Sequence, residues 1–145
     1  MHIFKTRWFV KFARQEHISD ILLCEAVWAA EAGQVDADYG GNVIKQRIAR
    51  EGAGKSGGYR SIILFRRGDK AFFVYGFPKN DRNNINDFEE KAFKKMADIV
   101  FALSDAALAD FIRRGTYQEV KCHEQTSTVQ KRRDGGDSSD PLRNV

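Results

Sequence analysis

Residues 52–80 read GAGKSGGYRSIILFRRGDKAFFVYGFPKN. Two runs rich in β-branched and aromatic residues, Tyr59–Arg66 and Lys70–Phe77, flank the triplet Arg67-Gly68-Asp69. That pattern predicts an antiparallel hairpin with its turn at Gly68. The glycine-rich start of the stretch contains Gly54-Lys55-Ser56, which matches the end of a nucleotide-binding P-loop. The P-loop spacing requires a glycine at position 49, where this chain has Ala49. It also requires a helix to follow, so that a helix N-terminus faces the anion, and a strand follows instead. No nucleotide cofactor is therefore expected, and Lys55 and Arg60 are free to meet a different phosphate.

Working outward, residues 3–6 fit a short strand, and Trp8, Phe9, Phe12 and Ala13 recur at helical spacing over about 7–15. Ser19, with Asp20 in the first turn, is a good N-cap for a second helix, and Gly33 is its expected C-cap. Asn42 to Arg50 places Val43 and Ile44 beside Lys45, Arg47 and Arg50, as in a strand with one charged face. Beyond the hairpin, Phe88, Ala92, Met96, Ile99 and Leu103 predict the core-facing side of a third helix opened by Asn86 or Asp87. A shorter helix over Asp105–Arg114 should stop at Gly115. The order β-α-α-β-β-β-α predicts an α+β fold, with a helical hairpin and a later helix packed on a small antiparallel sheet. The expected domain is 1–115. Residues 116–145 read as a polar tail, which from Glu124 onward is too poor in large apolar groups to offset its ordering entropy.

A chain of 145 residues with 42% hydrophobic residues and eleven Phe is expected to form one domain with a real core. No apolar run approaches the ~20 residues of a membrane span, and the N-terminus lacks the apolar stretch of a secretory signal. Cys24 and Cys122 match no metal or redox spacing, so Cys24 reads as a small buried hydrophobe and a reducing cytoplasm as the setting. The net charge of +4 is unevenly spread: between Gly41 and Arg82 there are ten Lys/Arg against three carboxylates. Carried on a sheet, such a block is either a solvated face or an electrostatic footprint for nucleic acid.

Common catalytic sets are missing from the pattern. His2, His17 and His123 lie outside the basic segment and show no metal-ligand spacing. Asp36 and Asp38, just before Gly40-Gly41, could be a carboxylate pair but read more simply as turn residues. What remains is a set of cations with phenol and amide groups: Lys45, Arg47, Arg50, Lys55, Tyr59, Arg60, Tyr75, Lys79, Asn80 and Arg82. Lys45 and Arg47 are two apart on a strand and so project from one face. Groups of this kind hold a phosphodiester and stabilise the charge that builds on it.

Several of these residues fall in ordered motifs. Ser56-Gly57-Gly58-Tyr59-Arg60 precedes the apolar hairpin, and Gly76-Phe77-x-Lys79-Asn80 closes it, continuing to Asn84-Ile85. Ala37-Asp38-x-Gly40-Gly41-x-Val43-Ile44-Lys45 and Trp8-Phe9-x-Lys11-Phe12 come earlier. Over about residues 3–103 the chain resembles the RelE/HigB-like toxins of bacterial type II toxin–antitoxin modules, most closely the HigB-like branch. The resemblance implies a toxin that cleaves mRNA, typically on the ribosome, using the RNA's own 2′-OH and no metal or other cofactor. It implies catalytic roles for Lys45, Lys55, Arg60 and Lys79, and RNA contacts from Arg47, Arg50, Tyr59, Tyr75, Asn80 and Arg82. It also implies a cognate helix-turn-helix antitoxin as partner and no membrane association. Two positions depart from RelE: Asn80 stands where RelE has a catalytic arginine, and Asn86 where it has a late tyrosine. Those departures favour a second reading, an RNA- or ribosome-binding protein that does not cleave. A third, a ParE-like gyrase poison, shares the fold but fits the dense basic groups less well.

Overall fold

The computed structural model describes residues 1–50 and 54–122, the side chains of 54–57 excepted. The chain begins as β1 (His2–Thr6) and passes into α1 (Arg7–Gln15), whose first turn is capped by Thr6 Oγ1 accepting the Phe9 N–H. α2 (Asp20–Glu31) follows, and Gly33 just beyond it takes a positive φ of 89°. Four strands come next: β2 (Ala37–Gly40), β3 (Val43–Arg50), β4 (Gly54–Arg66) and β5 (Lys70–Pro78). Gly68, with φ of 75°, makes the β4–β5 turn, as the glycine between the two apolar runs predicts. Two helices, α3 (Asp87–Phe101) and α4 (Asp105–Arg113), and a last strand β6 (Tyr117–Glu119) complete the described chain.

The six strands form one sheet in the order β2-β3-β4-β5-β1-β6. β1 pairs with β5 in parallel, and all other neighbours are antiparallel. The crossover through α1 and α2 covers one face of the sheet and α3 and α4 the other. Both faces of the central strands must therefore be apolar, which explains the unbroken runs Ile62–Phe65 and Ala71–Val74. Ile44, Ile48, Tyr59, Ile63 and Phe73 pack towards α1 and α2. Val43, Ile62, Leu64, Phe72 and Phe77 pack towards α3 and α4. The fold class is α+β, as the sequence predicts.

Three expectations need correction. Of the five residues that the sequence places on the core-facing side of α3, four face away from the sheet: Phe88 is 81% exposed and Ile99 64%, with Ala92 and Met96 also exposed, while Leu103, just past the helix end, packs against the core. The sheet instead receives Phe93, Ala97, Val100 and Phe101. Ala97 lets the helix approach, and Phe101 and Phe93 meet Phe72 and Tyr75 at ring separations of 5.8 and 6.1 Å. The start of the expected tail belongs to the body, since β6 pairs with β1 and the Val120 N–H bonds Ile3 O at 2.8 Å. A three-residue strand is too short to leave a periodic signal. Finally, Cys24 is bridged to Cys122, 98 residues away. Spacing along the chain carries no sign of this pair, because only folding brings α2 beside the segment after β6. The expected disorder from Glu124 falls outside the described residues.

Candidate functional site

Alternation along β3 and β4 sorts the basic residues onto two faces. Lys45 and Arg47 share the Val43 side of β3, which faces the α3 layer, while Gln46 and Ile48 face α2. Arg47 lies directly opposite Arg60 across the β3–β4 ladder. α3 covers Val43, Ile62 and Leu64; beyond it Arg47 is exposed, while the Lys45 and Arg60 side chains are largely buried.

A carboxylate organises the cluster. Asp36, just ahead of β2, accepts Arg60 Nε at 3.0 Å and lies 3.6 Å from Lys45 Nζ through the same oxygen. Lys45 Nζ also donates to Asn83 O at 3.2 Å. Asp36 is itself held by its backbone N–H, which donates to Gln46 Oε1 at 3.2 Å. The buried Gln46 amide is anchored in turn by donating to Ala26 O and Gln34 O at 3.0 and 2.8 Å. Helix α2 thus fixes the carboxylate through one side chain. The Arg60 side chain is only 14% exposed, and its Nη1 is buried with no hydrogen-bond partner among the described residues. Such a donor is costly to leave unmade, and an incoming oxyanion would satisfy it.

A second arginine borders the cluster. Arg82 donates to both Glu89 oxygens at 2.7 and 3.2 Å, to Asn84 O at 2.8 Å and to the Tyr75 hydroxyl at 3.3 Å. Hydrogen bonds from Arg82 and then from the Asn86 N–H hold the Glu89 carboxyl below its usual range. The same Glu89 and Asn86 form the capping box of α3, so Arg82 ties the loop after β5 to the helix start. Tyr39 donates to Asn84 Oδ1, and burial, with lesser effects of Glu90 and Asp36, pushes its phenol up.

The remaining predicted site residues lie elsewhere. Tyr59 is on the opposite face, 3% exposed, donating to Glu16 Oε1 at 3.0 Å and meeting the Phe12 ring edge-on. With Arg50, whose guanidinium stands 5.9 Å from the Tyr59 ring, and with Lys79 and Asn80, it lines a cavity of about 130 Å³. Lys45, Arg47, Arg60, Arg82 and Tyr75 therefore belong to the α3 side, and Arg50, Tyr59, Lys79 and Asn80 to the α1 side. The Lys55 side chain lies outside the described residues. Asp36, which by its place before Gly40-Gly41 reads as a turn residue, is a participant in the site. Its signal was present: a carboxylate leading into an edge strand that pairs with the Lys45 strand.

Among the described residues, no three His, Cys, Asp or Glu side chains come together as a metal site. No helix there is long and apolar enough to cross a membrane. A search of curated proteins returns no match. Residues 1–120 match the family model described as "RelE toxin of RelE / RelB toxin-antitoxin system". With a match over that much of the chain, an α+β sheet of the expected kind and Lys45, Arg47 and Arg60 gathered on one sheet face, this chain belongs to the RelE toxin family.

Proposed function

We propose that this toxin inhibits translation by cleaving mRNA on the ribosome in the cytoplasm, and that the RNA's own 2′-OH is the nucleophile. The HigB-like motifs Gly54-Lys55-Ser56-Gly57-Gly58-Tyr59-Arg60 and Gly76-Phe77-x-Lys79-Asn80 support that branch of the family. The observation that carries the reading is the Arg60 guanidinium, whose buried Nη1 has no hydrogen-bond partner among the described residues, beside Lys45 and opposite Arg47 on one face of the sheet. A phosphodiester entering this face takes over the donors that Asp36 holds in the free protein. The 2′-oxygen then bonds to the adjacent phosphorus while the bond to the 5′-oxygen breaks, leaving a 2′,3′-cyclic phosphate and a 5′-hydroxyl. The Lys55 amine accepts the 2′-OH proton, and the ammonium so formed returns a proton to the 5′-oxygen. Arg60, Arg47 and Lys45 stabilise the extra negative charge on the phosphorane-like transition state. Each such contact typically contributes about 10²–10³ in rate. Lys79, Arg50 and Asn80 serve on the far side of the β3–β5 end, where a strand of RNA meets them above the buried Tyr59. Arg82 and Tyr75 border the near side.

The test uses purified full-length chain, ribosomes and an end-mapped mRNA. Cleavage is expected to persist in EDTA at concentrations that spare the ribosome, and to fail on mRNA carrying a 2′-deoxy at the cut position. Cleavage of the deoxy substrate refutes the mechanism. Arg60→Ala should relieve growth arrest while the protein stays folded, and full toxicity in a folded Arg60→Ala variant removes Arg60 from the site. Ribosome binding without cleavage by the native chain would select the non-catalytic alternative.

A further inference from the structure

The outer side of α3 carries Phe88, Ala92, Met96 and Ile99, at the four- and three-residue spacing of one helical stripe. The stripe runs about 16 Å along the helix, and all four residues are exposed. Phe88 and Ile99 are the most exposed of the large hydrophobic side chains described. The helix does not need this face for folding, because Phe93, Ala97, Val100 and Phe101 already seat it on the sheet. Contiguous apolar surface of this kind on a helix marks an interaction site.

Lys91 and Lys95 run along one edge of the stripe; both are exposed and neither has an ion-pair partner among the described residues. Their neighbour Lys94, on the inner side, is by contrast paired with Glu90 at 2.9 Å. A second copy of this chain, laid antiparallel on the stripe, would bring the Lys91 and Lys95 pairs of both copies onto one shared flank. The charge pattern instead fits an amphipathic helix whose apolar stripe is edged by Asp or Glu.

We propose that the outer face of α3 is the docking surface for such an acidic amphipathic helix, carried by the antitoxin of this module. The proposal rests on the toxin–antitoxin relationship but not on the cleavage mechanism. Its specific content is that partner recognition and RNA contact use different surfaces. The stripe points away from the sheet, whereas Lys45, Arg47 and Arg60 lie on the sheet itself. Glu89, at the start of the same helix, holds Arg82 at the border of the basic face. A helix lying along α3 thereby sits within reach of the basic face without using its cations.

The experiment measures binding of full-length chain to the purified product of the reading frame adjoining its gene. Variants are Ile99→Glu, Met96→Glu, Lys91→Glu/Lys95→Glu and Arg60→Ala, each checked for an unchanged thermal midpoint. Ile99→Glu and Met96→Glu are expected to weaken binding about 100-fold, as for buried interface anchors. The double charge reversal should weaken it about 10-fold, and Arg60→Ala by less than about threefold. The proposal is overturned if the stripe variants bind like the native chain, or if the adjoining product does not bind at all. It is equally overturned if sedimentation shows that the chain alone dimerises through Ile99. A native chain that arrests no growth counts against the cleavage reading only, since the binding comparison is read independently of toxicity.

Discussion

Gly76, in the closing motif of the hairpin, offers a sharp test of how the α1 layer is packed. A Cβ added there would stand 2.5 Å from Phe12 Cε2 and 3.1 Å from Cδ2 and Cζ. Ordinary carbon contacts are about 3.5–4.0 Å, so the ring must retreat by roughly 1 Å. It has little room, being 8% exposed and walled by Trp8 stacked at 5.2 Å, Phe9 at 5.4 Å and Tyr59 at 6.0 Å. Overpacking of this kind costs about 1–3 kcal/mol. Replacing a strand glycine returns about 0.4–1 kcal/mol through the unfolded chain. Gly76→Ala should therefore destabilise the fold by about 1–2 kcal/mol, which lowers the thermal midpoint by roughly 3–8 °C in a domain of this size. Equilibrium unfolding in urea is the assay, with Phe12→Leu and the double variant completing a cycle. Once Phe12 is leucine, the alanine should cost almost nothing, a coupling of about 1–2 kcal/mol. A Gly76→Ala protein as stable as the native chain would refute the reasoning. So would an equal cost in both backgrounds, which would mean the alanine acts through something other than the ring.

Gln46→Ala should cost about 2–3 kcal/mol, because it strips bonds from Ala26 O, Gln34 O and the Asp36 N–H in a buried setting; a loss under about 0.5 kcal/mol in urea unfolding would mean water replaces the amide. Glu89, depressed by Arg82 and the Asn86 N–H, contributes stability that is fully present above its unfolded value of 4.5 and is lost as pH falls through its lower folded value. Glu89→Gln should therefore be less stable than the native chain at neutral pH and converge with it in acid; parallel pH profiles would contradict this. The Cys24–Cys122 bridge spans 98 residues, so reductant or Cys122→Ser should lower stability by about 2–4 kcal/mol. A midpoint insensitive to reductant would show that the bridge adds nothing.

Much of this architecture was legible in the sequence because it depends on neighbours along the chain. The hairpin from Tyr59 to Phe77, its Gly68 turn, the Gly33 helix stop and the Asn86 cap all follow from local backbone preference and from hydrophobic period. Lys45 and Arg47 could be set on one strand face for the same reason. What the sequence left open was which surface meets which. α3 carries two apolar sides, Phe88–Ile99 and Phe93–Phe101, and helical periodicity marks either as buriable. Only the sheet decided, because Ala97 allows close approach where the bulkier stripe does not. Tyr59 and Arg60 are adjacent in the motif, yet strand alternation sends them to opposite layers once β4 is covered on both sides. Asp36 became the anchor of Arg60 and Lys45 only when β2 paired with β3 and Gln46 reached Asp36 from the next strand. Cys24 and Cys122 likewise meet because β6 docks beside β1, a contact with no periodic trace. Local chemistry thus specified the elements, and long-range packing, which depends on shape across the whole sheet, selected the faces.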